Sequence, residues 1–299
     1  MPNQISDDIK LNLLDIDRDT GISGTELELT ALRLSLIHTD ENNNKMISRS
    51  DLTALFEAHF KGREYSYTFR LPRWLETCDV PWCNVLRDFY KDPVTRPASL
   101  SPQQGEFIRS LIVNFNPKTV VEIGVFLGIS TLWVAGALED ADQNGKLYSL
   151  DLFRDILPKP PTRTKCVIDP FTDVSERIKR AGLDDIVTFV KGDSKQIGAN
   201  WKTYSTDPID VLFIDGDHTI PGCLGDFEAF REHLNEEALI ILHDIFPENC
   251  SCDGPRYLID MLNKIGEVQI FELETSPHNF GMAVIKLKKR TKSRNTVLE

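Results

Sequence analysis

Five strand-length apolar runs, each followed by polar residues or glycine, constrain this chain more than any other feature. They are TVVEI (119–123), LYSLD (147–151), IVTFV (186–190), DVLFID (210–215) and ALIILHD (238–244), with helical segments between them. Strands this uniformly apolar are buried on both faces, which calls for a parallel sheet covered by helices on either side. Two further runs, VQIFEL (268–273) and GMAVIKL (281–287), are separated by a polar turn with Pro277 and Asn279 and read as a closing antiparallel hairpin. The expected fold class is α/β: a Rossmann-like, doubly wound, seven-stranded sheet with a C-terminal antiparallel hairpin.

In an open α/β sheet, ligands bind beyond the carboxyl ends of the strands. After the first strand comes EIGVFLGIS, from Glu122 to Ser130. Gly124 and Gly128 let the backbone turn tightly and approach a ligand closely, and Ser130 begins a helix. The stretch is neither the dinucleotide pattern G-x-G-x-x-G nor a P-loop. Asp151 ends the second strand, where a carboxylate suits a ribose diol. Asp193 and Ser194 follow the third strand, Asp215, Asp217 and His218 the fourth, and His243 and Asp244 end the fifth.

The first sixty residues have a different texture. They hold eleven Asp/Glu against five Lys/Arg, half of the chain's net charge of −12. DIDRDTGISGTE, from Asp15 to Glu26, nearly matches a calcium loop: Asp15, Asp17, Asp19, the Gly21 carbonyl, Ser23 and Glu26 stand at the ligand positions. Thr20 replaces the turn glycine. DENNNKMISRSD repeats the pattern with Asp40, Asn42, Asn44, Ser48 and Asp51, and the shorter Asp51 in place of glutamate predicts a weaker site. The competing account is a polar helix–turn–helix capped by Asp and Ser.

Two resemblances follow from these motifs. VVEIGVFLGISTL, LYSLD, FVKGDS, FIDGDH and LHD, in that order, resemble the class I S-adenosylmethionine-dependent methyltransferases. Within them the chain is most similar to the O-methyltransferases of catechol, caffeoyl-CoA, sugars and other small natural products. SPQQGEFIRSLIV (101–113) is similar to the helix before the glycine motif in the caffeoyl-CoA type, and the resemblance covers roughly 98–288. The paired acidic loops resemble an EF-hand pair, in a spacing closer to the loop–helix repeats of dockerin modules.

The methyltransferase resemblance implies specific roles. Glu122, Gly124, Val125 and Gly128 shape the pocket for the methionine part of S-adenosylmethionine, with Ser130 near its carboxylate. Asp151 holds the ribose hydroxyls, Asp193 and Ser194 border the adenine, and Asp215 sits beside the reactive centre. His218 stands where the family carries its general base. A structural account remains open beside this one: Ser130 as a helix cap, Asp193 as a turn residue, His218 as a cap or a packed ring. The family's metal ligands fall on Asp215 and Asp244, but Ile245 replaces the Asn partner and His243 stands where sugar enzymes have glutamate. A Mg2+ site of Asp215, Asp244 and His243 is therefore the expectation under strain, because magnesium prefers oxygen.

The expected organisation is a small all-α EF-hand-like domain (1–62), a helical linker (63–98) whose aromatics form either a substrate wall or core between the two domains, a methyltransferase domain (99–289) and a basic tail (290–299). The proline-rich segment 152–170 is long for a strand-to-helix connection and reads as a lid. The expected cofactors are S-adenosylmethionine, Mg2+ and, in the N-terminal loops, Ca2+. The acidic balance argues against nucleic acid. The absence of a signal-like or spanning segment argues for a cytoplasmic protein with no membrane partner; the resemblance implies a small-molecule acceptor, with a homodimer left open. Six cysteines read as free thiols; Cys250-Ser-Cys252 hints at a metal, but no second pair has zinc spacing. Two other functions stay open: N-methylation, and a calcium-responsive binding protein with an inactive transferase-like domain.

Overall fold

The computed structural model describes residues 69–92, 95, 99–141, 144–156, 167–266, 268–274 and 280–287, with the backbone of three short N-terminal strands. The chain divides into two compact units: Met1–Tyr67 with Asp155–Ile168, and Thr68–Arg154 with Asp169–Glu299.

In the first unit the described backbone is an antiparallel arrangement. Lys45–Ser48 pairs with Asp8–Lys10 on one side and His38–Thr39 on the other. Asp15, Asp17, Asp19, Gly21, Glu26, Asp40, Asn42, Asn44 and Asp51 lie outside the described residues, as do 157–166 of the expected lid.

The second unit is the α/β sheet. Its strands are β1 (Thr119–Ile123), β2 (Lys146–Asp151), β3 (Val187–Lys191), β4 (Ile209–Ile214), β5 (Leu234–His243), β6 (Val268–Leu273) and β7 (Met282–Leu287). The spatial order is β3-β2-β1-β4-β5-β7-β6, seven strands as expected. β1 to β5 pair in parallel, and β7 runs antiparallel to both β5 and β6. The expected hairpin is present, and its second strand is the one that slots against β5.

All of β1 is buried, as a strand covered on both faces must be. One face packs Val121, Ile123, Leu212 and Ile214 against Phe227 and Phe230 of helix α7 (Ile220–Arg231) and Leu258 of α9 (Asp253–Ile265). On the other side lies an aromatic cluster. Trp133, on α4 (Ile129–Ala141), meets Trp74 of α1 (Arg73–Thr77) and Trp82 of α2 (Pro81–Tyr90) at ring-centroid distances of 5.9 and 6.0 Å. The Trp133 indole N–H donates to the Tyr90 hydroxyl at 2.8 Å, which donates on to the Leu100 carbonyl at 2.8 Å. Trp82, Phe89 and Tyr90, expected as a substrate wall or as core between two domains, are buried within this unit.

Helix α3 (Pro102–Phe115) carries a full set of local signals. Ser101 and Gln104 form a reciprocal capping box, Pro102 opens the first turn, and Asn116 closes the helix in the left-handed conformation. Its Gly105 permits the crossing with α4, because a Cβ there would lie 2.1 Å from the Trp133 ring. No helix among the described residues is long and apolar enough to cross a membrane.

Candidate active site

Strand register brings the functional residues into one row. Ile123 pairs with Leu150 and with Ile214, and Ile214 pairs with Leu242. The next residue on each strand is therefore Gly124, Asp151, Asp215 or His243, side by side at the carboxyl edge. The strand order reverses between β1 and β4, and that switch point is where such sheets bind ligands.

The glycine loop is held by its neighbours. Gly124 has φ +93°, and a Cβ there would stand 2.2 Å from the Asp215 carbonyl oxygen. Gly128 has φ +85° and faces the Val174 side chain of α5 (Pro170–Arg180). Asp151 Oδ2 accepts the Val125 and Phe126 backbone N–H groups at 2.8 and 3.2 Å, and Oδ1 accepts that of Phe153 at 2.6 Å. A carboxylate has about four acceptor positions, so roughly one remains for a ligand hydroxyl.

Glu122 is fully buried beneath this loop. Its Oε2 accepts from Thr131 at 2.7 Å and Ser149 at 2.6 Å, while Oε1 has no hydrogen-bond partner of ordinary geometry. Ser149 faces it because the two residues are register partners in β1 and β2. Burial pushes the Glu122 carboxyl up to about 7, against the pull of the Ser130, Ser149 and Thr131 hydroxyls. Ser130 is buried beside Glu122 at the start of α4.

At the end of β3, Asp193 caps the short helix α6 (Ser194–Ala199), accepting the Lys195 and Gln196 N–H groups. Ser194 donates to Asp226 of α7 at 2.5 Å. Sequence reasoning missed Asp226, a buried acid on a helix whose neighbours carry no motif. Burial raises its carboxyl, against the Ser194 bond.

The densest chemistry lies beyond β4 and β5. His218 Nε2 stands 3.2 Å from Asp215 Oδ1 and 3.4 Å from Asp244 Oδ2. His243 Nδ1 stands 3.4 Å from Asp215 Oδ1 and 3.1 Å from Asp244 Oδ1. Asp244 reaches this position with φ +58°, a left-handed conformation that Asp tolerates better than most residues. Burial works to raise the Asp215 carboxyl, but the His243 charge and the bonds from His218 and His243 outweigh it and hold it below the usual range. Burial alone would lower both histidines; for His218 the bond and charge of Asp215, and for His243 the charges of Asp244 and Asp215, overcome it and raise them. The carboxylate and imidazole groups thus favour each other's charged forms.

Asp215, His243 and Asp244 each offer one ligand atom within 4.8 Å of the others, a spacing that suits one ion. Asp244 Oδ1 is buried with no hydrogen bond of ordinary geometry, His243 Nδ1 lying 3.1 Å away, so the donor set fits a divalent cation, with two oxygens and one imidazole.

The strand order and the glycine loop define a Rossmann-like domain, with this polar row at the switch point where such folds bind ligands. Residues 121–245 match the family described as a methyltransferase domain. A catechol O-methyltransferase of Niastella koreensis is 32% identical over 119 residues, 40% of this chain and 46% of that protein. The match thus spans about half the length of that curated relative. The O-methyltransferase from Bacillus cereus, solved in complex with SAH, superposes with a TM-score of 0.54 at 19% identity, over 80% of this chain and 99% of that one. The O-methyltransferase TomG from Streptomyces achromogenes, involved in tomaymycin synthesis and solved with SAM, gives 0.53 at 16% identity, over 82% and 100%. These likenesses show a shared fold.

Proposed function

We propose that this protein is an S-adenosylmethionine-dependent O-methyltransferase acting on a hydroxyl of a small molecule. The row of Gly124, Asp151, Asp215 and His243, with His218 seated on Asp215, carries the reading. That row supports a nucleoside-type site beside a proton acceptor. When bound, the cofactor supplies an electrophilic methyl group on a sulfonium.

The residues fit that group. Gly124 lets the loop lie directly against the Asp215–Gly216 backbone, Glu122 keeps one carboxylate oxygen without a hydrogen bond of ordinary geometry, and Asp151 retains an acceptor position for a ribose hydroxyl. Asp193 and Ser194 stand at the adenine end.

His218 is the proton acceptor. Asp215 can only accept at Nε2, so the neutral ring carries its hydrogen there and offers Nδ1 to the acceptor hydroxyl. The same carboxylate raises the ring's basicity. Asp215, His243 and Asp244 would hold a divalent ion, which there would lower the pKa of the acceptor hydroxyl. At least one of the loops Asp15–Glu26 and Asp40–Asp51 binds calcium, an assignment supported by two ligand patterns in register. A melting temperature unchanged by calcium would remove that part.

The reading is tested by mass spectrometry of catechols, phenols and sugars incubated with the protein and S-adenosylmethionine. A gain of one methyl on oxygen, lost in His218→Ala, is expected. Methylation on nitrogen alone would replace the reading, and none across the panel would contradict it.

A further inference from the structure

Asp244 presents its two carboxylate oxygens to two different sets of donors. Oδ1 belongs with His243 and Asp215. Oδ2 lies 3.4 Å from His218 Nε2 and accepts from the Cys252 thiol at 3.9 Å. In this second set one imidazole nitrogen, one carboxylate oxygen and one sulfur all lie within 4.8 Å of one another. They come from three separate segments: the loop after β4, the residue after β5, and the residue just before α9.

Donor chemistry decides what such a triad accepts. Magnesium takes oxygen and holds water; a thiol with an imidazole and a carboxylate is a zinc set. Zinc bonds of about 2.0–2.1 Å to nitrogen and oxygen and about 2.3 Å to sulfur imply tetrahedral edges of roughly 3.3–3.6 Å. The His218–Asp244 separation of 3.4 Å already has that length, and the Cys252–Asp244 separation of 3.9 Å closes with a shift of a few tenths. His218 and Cys252 are both part-exposed, so an ion and a water can reach them.

The neighbouring thiol has another task. Cys250 donates to the carbonyls of Asp244 and Phe246 and so fixes the segment that carries Cys252. Without a cation, the bond to Cys250, burial and the Asp244 charge all push the Cys252 thiol up and keep it protonated. A dication at the centre reverses the sign of that field and displaces the proton.

We infer that His218, Asp244 and Cys252 form a zinc site, completed by water and distinct from the oxygen-rich group of Asp215, His243 and Asp244 with which it shares one carboxylate. Zinc there takes Nε2 of His218 in place of the hydrogen that faces Asp215; the neutral ring then carries its hydrogen at Nδ1, so the ion and the acceptor proton compete for one ring. That consequence rests on the proposed catalytic role of His218; zinc binding itself does not.

The test is cobalt(II) titration of the metal-stripped full chain, kept in saturating calcium, followed by zinc. The expected result is a near-ultraviolet thiolate-to-cobalt band with tetrahedral visible bands, all bleached by zinc. Cys252→Ser loses the thiolate band and binds zinc at least tenfold more weakly. Cys250→Ser keeps both properties. His218→Ala keeps the thiolate band with weakened affinity, which holds the test open if Cys252→Ser fails to fold. The assignment is overturned by absence of the thiolate band in the intact protein, by its survival in Cys252→Ser, or by equal zinc affinity in the two. Methyl transfer is not read in this experiment, so failure of the zinc site and failure of the transferase reading are distinguishable.

Discussion

His218 Nε2 lies 3.2 Å from Asp215 Oδ1, three residues earlier. In the proposed reaction the carboxylate accepts the hydrogen bond from Nε2, and Nδ1 serves as the base. His218→Ala is expected to lower kcat by about 10²–10³-fold, within the range for a lost general base. Affinity for S-adenosylhomocysteine should stay within about twofold, because the ring does not hold the cofactor. Steady-state kinetics with calorimetry separates the two. A parallel loss of binding would make His218 a structural residue.

The same contact sets a pH dependence. Asp215 and Asp244 raise the His218 pKa, so the neutral, base-competent ring appears only above the ordinary value of 6.5. Activity should therefore rise with pH through an inflection above that value. In Asp215→Asn the inflection should move down, since the stabilising charge is gone and burial then favours the neutral ring. A profile that shifts upward in the variant would contradict the assignment.

Glu122 predicts a stability slope of opposite consequence. Its folded pKa, about 7, lies above the unfolded value of 4.5, so the protonated form stabilises the fold. That contribution is complete below pH 4.5 and is lost as pH rises through 7, a change of roughly 3 kcal/mol. Thermal melts without cofactor from pH 4.5 to 7.5 should show a decline that flattens in Glu122→Gln. An unchanged slope in the variant would assign the decline to other groups.

Gly124 and Gly182 offer a matched comparison. Both have positive φ, +93° and +72°, but a Cβ at Gly124 strikes the Asp215 backbone whereas nothing lies within 4 Å at Gly182. Gly182→Ala should cost only the conformational strain, about 1 kcal/mol. Gly124→Ala should destabilise by several times as much and abolish S-adenosylhomocysteine binding. Denaturant unfolding of the two variants measures the difference, and equal losses would remove the close-approach argument.

Trp133 is fully buried against Trp74, Trp82 and the Tyr90 hydroxyl. Trp133→Ala should destabilise the larger unit by about 3–5 kcal/mol. A loss under 1 kcal/mol in urea unfolding would show that the aromatic cluster is dispensable.

Much of this site was legible because a parallel sheet turns sequence order into spatial order. The run TVVEI coincides with β1, and the other four runs fall within one residue of their strands at the carboxyl ends. Those ends fixed Gly124, Asp151, Asp215, His243 and Asp244. β5 starts earlier than its apolar run because Asn235, Glu236 and Glu237 join the strand without an apolar pattern. Contacts made by helices across the edge were not legible. Asp226 reaches Ser194 from α7, and Cys252 reaches Asp244 from the start of α9. A search for local zinc spacing rejects Cys250-Ser-Cys252 because its companions, His218 and Asp244, lie on other strands' ends.

The most direct measurement is calorimetric titration of S-adenosylhomocysteine into the intact chain and into Asp151→Ala. The account predicts one site per chain with a dissociation constant in the micromolar range or below, weakened at least tenfold in the variant. No heat of binding from a folded intact chain, or equal binding by the two proteins, would contradict it.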